Sequence, residues 1–201
     1  MATVVIPFAG VDGKTRLHAS PALRRDVSLA MLGDVLAACV TLGRTLVVTS
    51  SAQGAAVASE LGADVVPDTG GGQGRAVQAA LAELTGQVLV VNADLPSVTP
   101  GDLEQLVAAT PLGGMALVEA ADGTTNALSL PDPAVFAPLY GAGSAVRFRE
   151  HARTLGLRDV TAPLPNLVDD VDTVADLQRV RLRCGPRTRS YLALLTAGAA
   201  A

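Results

Sequence analysis

Apolar positions in this 201-residue chain fall in two alternating patterns, short solid runs and longer stretches with helical spacing. Thr3-Val4-Val5-Ile6-Pro7 is a solid run, read as a buried strand, and Phe8 to Leu17 follows it as a Gly-containing loop. From Pro21 to Leu42, apolar Leu23, Val27, Ala30, Met31, Val35 and Ala38 recur at a helical period, with Ser20 as N-cap and Pro21 at the first position. Gly43 ends that helix and Thr45 to Thr49 forms a second buried strand. Ser50 or Ser51 caps a helix through Glu60, closed by Gly62, and Ala63 to Pro67 is a third strand. The glycine-rich loop Asp68 to Gly74 leads into a helix from Arg75 to Leu84. Gln87 to Val91 is the most apolar run and is expected at the centre of the sheet; it enters Asn92-Ala93-Asp94-Leu95-Pro96.

The second half continues the alternation. A helix opens at Pro100 and Asp102, and Met115 to Val118 and Asn126 to Leu130 are strands. Ser144 is expected to cap a helix that ends near Leu155 with Gly156 as its terminal glycine. A last helix starts at Thr173, and the tail from about residue 184 is basic, then Ala-rich, either a terminal helix or frayed. Strands alternating with helices predict an α/β doubly wound sheet, and the absence of repeats or a long linker predicts one domain over residues 1–201.

Composition narrows the chemistry more than the fold. Apolar residues make up 49% of the chain but aromatics only 2%, so Ala, Val and Leu must build the core, as suits helices packed on a parallel sheet. A net charge of -4 gives no basic field for nucleic acid. Cys39 and Cys184 have no metal-ligand or CxxC spacing; Cys39 is expected in a helix core and Cys184 near a polar tail. No apolar run approaches a membrane span and no leader precedes the first strand, so the expectation is a soluble cytoplasmic protein.

Loops at the carboxyl ends of parallel strands gather on one edge of such a sheet, where ligands bind. Three features share that edge. Lys14 is the one lysine among fifteen basic residues, and a compact ammonium in the loop after the first strand suits a phosphate; chance placement is the alternative. Gly70-Gly71-Gly72-Gln73-Gly74 fits neither usual phosphate fingerprint but lets backbone approach a base or ribose, or is simply a flexible turn. Asp94 ends the most apolar strand, where it holds a hard cation such as Mg²⁺ or caps the turn. Asp170 and Asp172 flank Val171, so an extended backbone turns both carboxylates to one side; the competing role is capping the last helix.

Asp122-Gly123-Thr124-Thr125-Asn126 supplies small polar donors at the start of a strand, and Tyr140-Gly141-Ala142-Gly143-Ser144 leads into a helix N-terminus that favours an anion, with Arg147 and Arg149 just behind. Ordinary capping explains the second loop equally well. His18 and His151 form no cluster and are read as surface residues.

In order, Gly13-Lys14-Thr15-Arg16-Leu17, Met31 to Leu36, Val66-Pro67-Asp68, Ala93-Asp94-Leu95-Pro96, Gly123 to Leu128, Tyr140 to Ser144 and Asp170 to Thr173 resemble the guanylyltransferases of coenzyme F420 biosynthesis, over roughly residues 3 to 190. Those enzymes join GTP to 2-phospho-L-lactate or phosphoenolpyruvate. The resemblance implies a Rossmann-like three-layer α/β/α fold with a mixed, mostly parallel sheet, akin to nucleotide-diphospho-sugar transferases. It implies GTP and phosphoenolpyruvate or 2-phospho-L-lactate as partners, Mg²⁺ as cofactor and no nucleic acid or membrane; a homodimer is compatible with it. By the same resemblance Asp94, Asp170 and Asp172 hold the metal, Lys14 neutralises a phosphate, Thr125, Gly141, Ser144 and Arg16 bind the acceptor, and Gly70, Gly71, Gly72 and Gly74 lie against guanosine. Departures are Phe8-Ala9, where many relatives have a further lysine, and Gln73-Gly74-Arg75, where relatives often have asparagines. The alternatives are a molybdenum-cofactor or sugar-phosphate guanylyl- or cytidylyltransferase and, in another class, an inert nucleotide-binding module.

Overall fold

The chain was analysed as a computed structural model, which describes residues 2–10, 17 and 20–198. Lys14, Arg16 and His18 lie outside the described residues. Seven strands form one sheet in the order β3-β2-β1-β4-β6-β5-β7. They are β1 (Thr3–Pro7), β2 (Thr45–Thr49), β3 (Asp64–Pro67), β4 (Val88–Val91), β5 (Met115–Glu119), β6 (Thr125–Leu130) and β7 (Asp159–Thr161). β4 holds the central position expected of the most apolar run, and its four residues are all buried. β1 pairs in parallel with β2 and β4, β2 with β3, and β5 with β7, while β6 runs antiparallel to both β4 and β5. The sheet is therefore mixed and mostly parallel, and β6 begins at the edge where β4 ends.

Helices cover both faces. On one face α1 (Pro21–Cys39), α2 (Ala52–Glu60), α4 (Pro100–Ala109) and the short α6 (Pro165–Val168) enclose a core that includes Ile6, Leu36, Leu89, Leu103 and Leu167. On the other, α3 (Gln73–Leu81) and α5 (Ser144–Thr154) close over Val5, Val90, Leu117 and Leu128 with Phe148. The alternation of β4 explains the split: Leu89 and Val91 face one layer, Val88 and Val90 the other. No helix among the described residues is long and apolar enough to cross a membrane.

Three local expectations change, at Ser144, β7 and Cys184, while the C-terminal tail takes one of its two expected forms. Gly143, not Ser144, is the N-cap of α5: its left-handed φ of 69° turns the chain into the helix, which leaves Ser144 as the first helical residue with its side chain buried. β7 was not anticipated, because a three-residue strand with one apolar position carries no periodicity. The C-terminal tail is a docked helix, α8 (Pro186–Gly198), beyond α7 (Val174–Val180), and it packs on α1. Leu192 and Cys184 join Val27, Met31, Val171, Leu177 and Val180 in a third apolar cluster, so Cys184 is buried core and not part of a polar tail.

Candidate active site

The loops after β1, β3 and β4 converge on a cavity of about 250 Å³ lined by Phe8, Gly10, Asp68, Gly72, Gln73 and Asp94, among others. At its floor Gln73 Nε2 donates to Asn92 Oδ1 at 2.7 Å, and Asn92 Nδ2 donates to the Thr125 carbonyl at 3.2 Å. This chain of amides links the glycine-rich loop, the end of β4 and the start of β6. Gly72 lines the cavity, whereas Gly70 and Gly71 border a shallower recess with Arg75 behind it. Gly74 owes its identity to packing, since a Cβ there would stand 2.8 Å from Pro138 Cβ.

Asp94, Asp170 and Asp172 come together: one carboxylate oxygen from each lies within 4.8 Å of the other two. They arrive on two separate loops. The Val171 N–H donates to the Asp94 carbonyl at 3.1 Å, and Val171 is fully buried, so the backbone between the two acids is pinned and both are turned outward. Asn126, also buried, donates from Nδ2 to the carbonyls of Leu167 (2.9 Å) and Val168 (3.0 Å), which fixes α6 just ahead of Asp170. Capping of α7 is done by others: Thr173 accepts from the Asp176 N–H while Asp176 accepts from the N–H groups of Thr173 and Asp172. The competing role for Asp170 and Asp172 is thereby removed.

An oxygen-only set of three carboxylates is the donor chemistry of a hard divalent cation. Metal–oxygen distances of about 2.1–2.5 Å put two ligand oxygens at most roughly 4.2–5 Å apart, so separations within 4.8 Å are in the range that one such ion spans.

The Asp176 carboxyl is pushed up by burial, but the Thr173 hydroxyl and N–H, the Asp172 N–H and Arg179 outweigh this and hold it below the ordinary carboxylate range. A depressed value stabilises the fold above the unfolded aspartate's titration near pH 4, and that contribution is lost as the pH falls through the folded value. Asp176→Ala is therefore expected to cost about 1–2 kcal/mol in urea unfolding at pH 7, with the gap to the wild type narrowing as the pH falls below the unfolded aspartate's titration. A gap independent of pH would show that the carboxylate is not the stabilising form.

The loops at the other end of the site behave differently from the expectation of exposed donors. Thr125 and Ser144 are 1% and 0% exposed, and the Ser144 hydroxyl donates to Thr125 Oγ1 at 3.1 Å. The Ala145 N–H is spent on the Gly123 carbonyl, and the Ser144 N–H on that of Gly141. Arg147 is folded onto the carbonyls of Leu139, Tyr140 and Ala142, and Arg149 pairs with Glu119 at 2.6 Å. Both arginines thus brace the loop and sheet. His151 likewise has a structural contact, 2.9 Å from the Val135 carbonyl. Asn92, Gln73 and Asn126 stand in segments the sequence singles out, but their linking of separate loops is not readable there, because each bond joins residues far apart in the chain.

Known proteins agree with this architecture. Residues 2–198 match the family described as guanylyl transferase CofC like. Phosphoenolpyruvate guanylyltransferase of Nocardia farcinica is 36% identical over 197 residues, covering 90% of this chain and 85% of its own length. The protein of that name from Streptomyces coelicolor is 34% identical, and the match covers 98% of both chains. A nucleotide-diphospho-sugar transferase structure from Desulfovibrio desulfuricans superposes with a TM-score of 0.78 at 17% identity, over 98% of this chain and 96% of that one, which speaks to the fold alone. The chain belongs to the CofC-like guanylyl transferase family.

Proposed function

We propose that this protein transfers GMP from GTP to the phosphate of phosphoenolpyruvate, with Mg²⁺ held by Asp94, Asp170 and Asp172. The observation that carries the reading is the carboxylate triad, whose member Asp94 lines the cavity in the loop after β4. An oxygen of the acceptor's phosphate attacks the α-phosphorus of GTP; the bond from that phosphorus to the oxygen bridging to the β-phosphate breaks, and pyrophosphate leaves with the electron pair. Two anions must be brought into line, so positioning and charge neutralisation are the main tasks. A bound divalent cation supplies the neutralisation that a set of acidic side chains cannot.

The chain's own residues do the placing. Asn92 and Gln73 hold the nucleotide end, and the Asn126 brace keeps Asp170 in register with Asp94. Thr125, Gly141 and Ser144 form the acceptor end. Two hydroxyls joined by one hydrogen bond leave one O–H proton over, and it is directed in this reading to the acceptor's phosphate. Lys14 and Arg16 are assigned to the phosphates, as their loop follows β1. 2-phospho-L-lactate is the alternative acceptor in this reading, the product of transfer leads towards coenzyme F420, and the cytoplasm is the compartment that supplies GTP.

Pyrophosphate release from GTP, ATP and CTP, each offered with phosphoenolpyruvate, 2-phospho-L-lactate and 3-phosphoglycerate, tests the reading. Release is expected with GTP and phosphoenolpyruvate. Release only with sugar phosphates, or without any acceptor, would refute it.

A further inference from the structure

We propose that Asp68 is the residue that reads guanine. The inference rests on the nucleotidyl-transfer reading above and names the recognition step inside it. Asp68 follows β3 and lines the same cavity as Gly72, Gln73 and Asp94. Its Oδ1 accepts the Gly70 N–H at 2.8 Å, which orients the carboxylate, and among the described residues Oδ2 has no hydrogen-bond donor. The glycine-rich loop keeps its side of this cavity clear: at Gly72 the space where a Cβ would stand is open, and its positive φ keeps larger residues out. Beyond it α3 starts at Gln73 with no side chain capping its N-terminus, and Gln73 lines the same cavity as Asp68.

A carboxylate and a helix N-terminus at one cavity make a selective combination. Guanine presents N1–H and its 2-amino group as adjacent donors, with O6 as an acceptor next to them. The two Asp68 oxygens take both donors, and an N–H at the start of α3 suits O6. Adenine and cytosine put a ring-nitrogen lone pair where guanine has N1–H, directly against the negative charge. Gln73 cannot do the same: with Nε2 given to Asn92 it offers one neutral acceptor, Oε1, for two adjacent donors, where the Asp68 carboxylate offers two charged ones.

The test is Asp68→Asn, assayed with GTP and with xanthosine triphosphate, which carries a carbonyl in place of the 2-amino group. An asparagine oxygen can still accept the Gly70 N–H, and its NH₂ matches the xanthine carbonyl. The wild type is expected to prefer GTP by at least about 10-fold in kcat/KM. In the variant the GTP value falls by about 10-fold or more and the xanthosine triphosphate value rises by a similar factor, mainly through KM. A gain with the second nucleotide cannot come from misfolding. Parallel changes with both nucleotides would reduce Asp68 to a turn residue and overturn the assignment while leaving guanylyl transfer standing. Calorimetric binding of the two nucleotides separates the remaining cases. An inverted preference in binding without transfer by the wild type supports Asp68 and refutes the transfer reading. No GTP binding by the wild type overturns both.

Discussion

Asp94→Asn and Asp172→Asn are each expected to abolish Mg²⁺-dependent pyrophosphate release while the protein stays folded. Three carboxylate oxygens within 4.8 Å of one another repel by at least about 0.9 kcal/mol per pair in water-like surroundings and about 3.5 at an effective dielectric of 20. A fold tolerates such a cluster when a cation neutralises it, so replacing one acid by its amide removes a ligand and relieves repulsion together. The metal-free melting temperature should hold or rise, whereas transfer should fall on the order of 10²–10³-fold or more. A second readout does not depend on turnover. Mg²⁺ at ten times its dissociation constant stabilises the wild type by about 1.4 kcal/mol through linkage, and this increment should vanish in both variants. Full turnover with an unchanged Mg²⁺ increment would remove the metal assignment.

The acids were legible in the sequence for a simple reason. Asp94 follows a solid apolar run closely and stands two residues before a proline, and Asp170-Val171-Asp172 has the two-residue spacing that puts both carboxylates on one side of a buried valine. Their meeting was not legible, because it depends on the Val171 N–H reaching the Asp94 carbonyl across the fold and on Asn126 holding α6. The same limit applies at Ser144. Glycine-rich sequence before a helix marked the turn correctly, but which residue caps is decided by one left-handed φ at Gly143. The strands β1, β2 and β4 were visible because each is built on a solid apolar run between turn residues, while β7 has only Val160 to show for itself. Asp68 had been grouped with the turn; only the cavity reveals what else its carboxylate faces.

The C-terminal helix was hardest to read, and for the same reason it carries the largest stability effect. Asp34→Ala is expected to cost about 3 kcal/mol. Pro186 occupies the first position of α8 and has no N–H to satisfy; the next two N–H groups, of Arg187 and Thr188, donate to Asp34 Oδ1 at 3.0 Å and Oδ2 at 2.8 Å. The cap of α8 therefore comes from α1, more than 150 residues away in sequence, and no local capping signal precedes the helix. Asp34 is only 5% exposed, so truncating it leaves two helix-terminal donors without their acceptor in a site where water enters poorly. Gly185 makes the approach feasible, since a Cβ there would stand 2.4 Å from Asp34 Cγ. Gly185→Ala should accordingly act through the same contact, and the double variant should cost less than the sum of the two single ones. The lock also reaches the active site: the Gly185 N–H donates at 2.7 Å to the carbonyl of Pro96, two residues beyond Asp94. Loss of the cap should thus weaken the Mg²⁺-dependent stabilisation along with the fold, even at temperatures where the variant is fully native. Urea unfolding with and without Mg²⁺ separates the two effects. A cost below about 1 kcal/mol, the net value of an ordinary hydrogen bond, would mean that α8 finds its cap elsewhere.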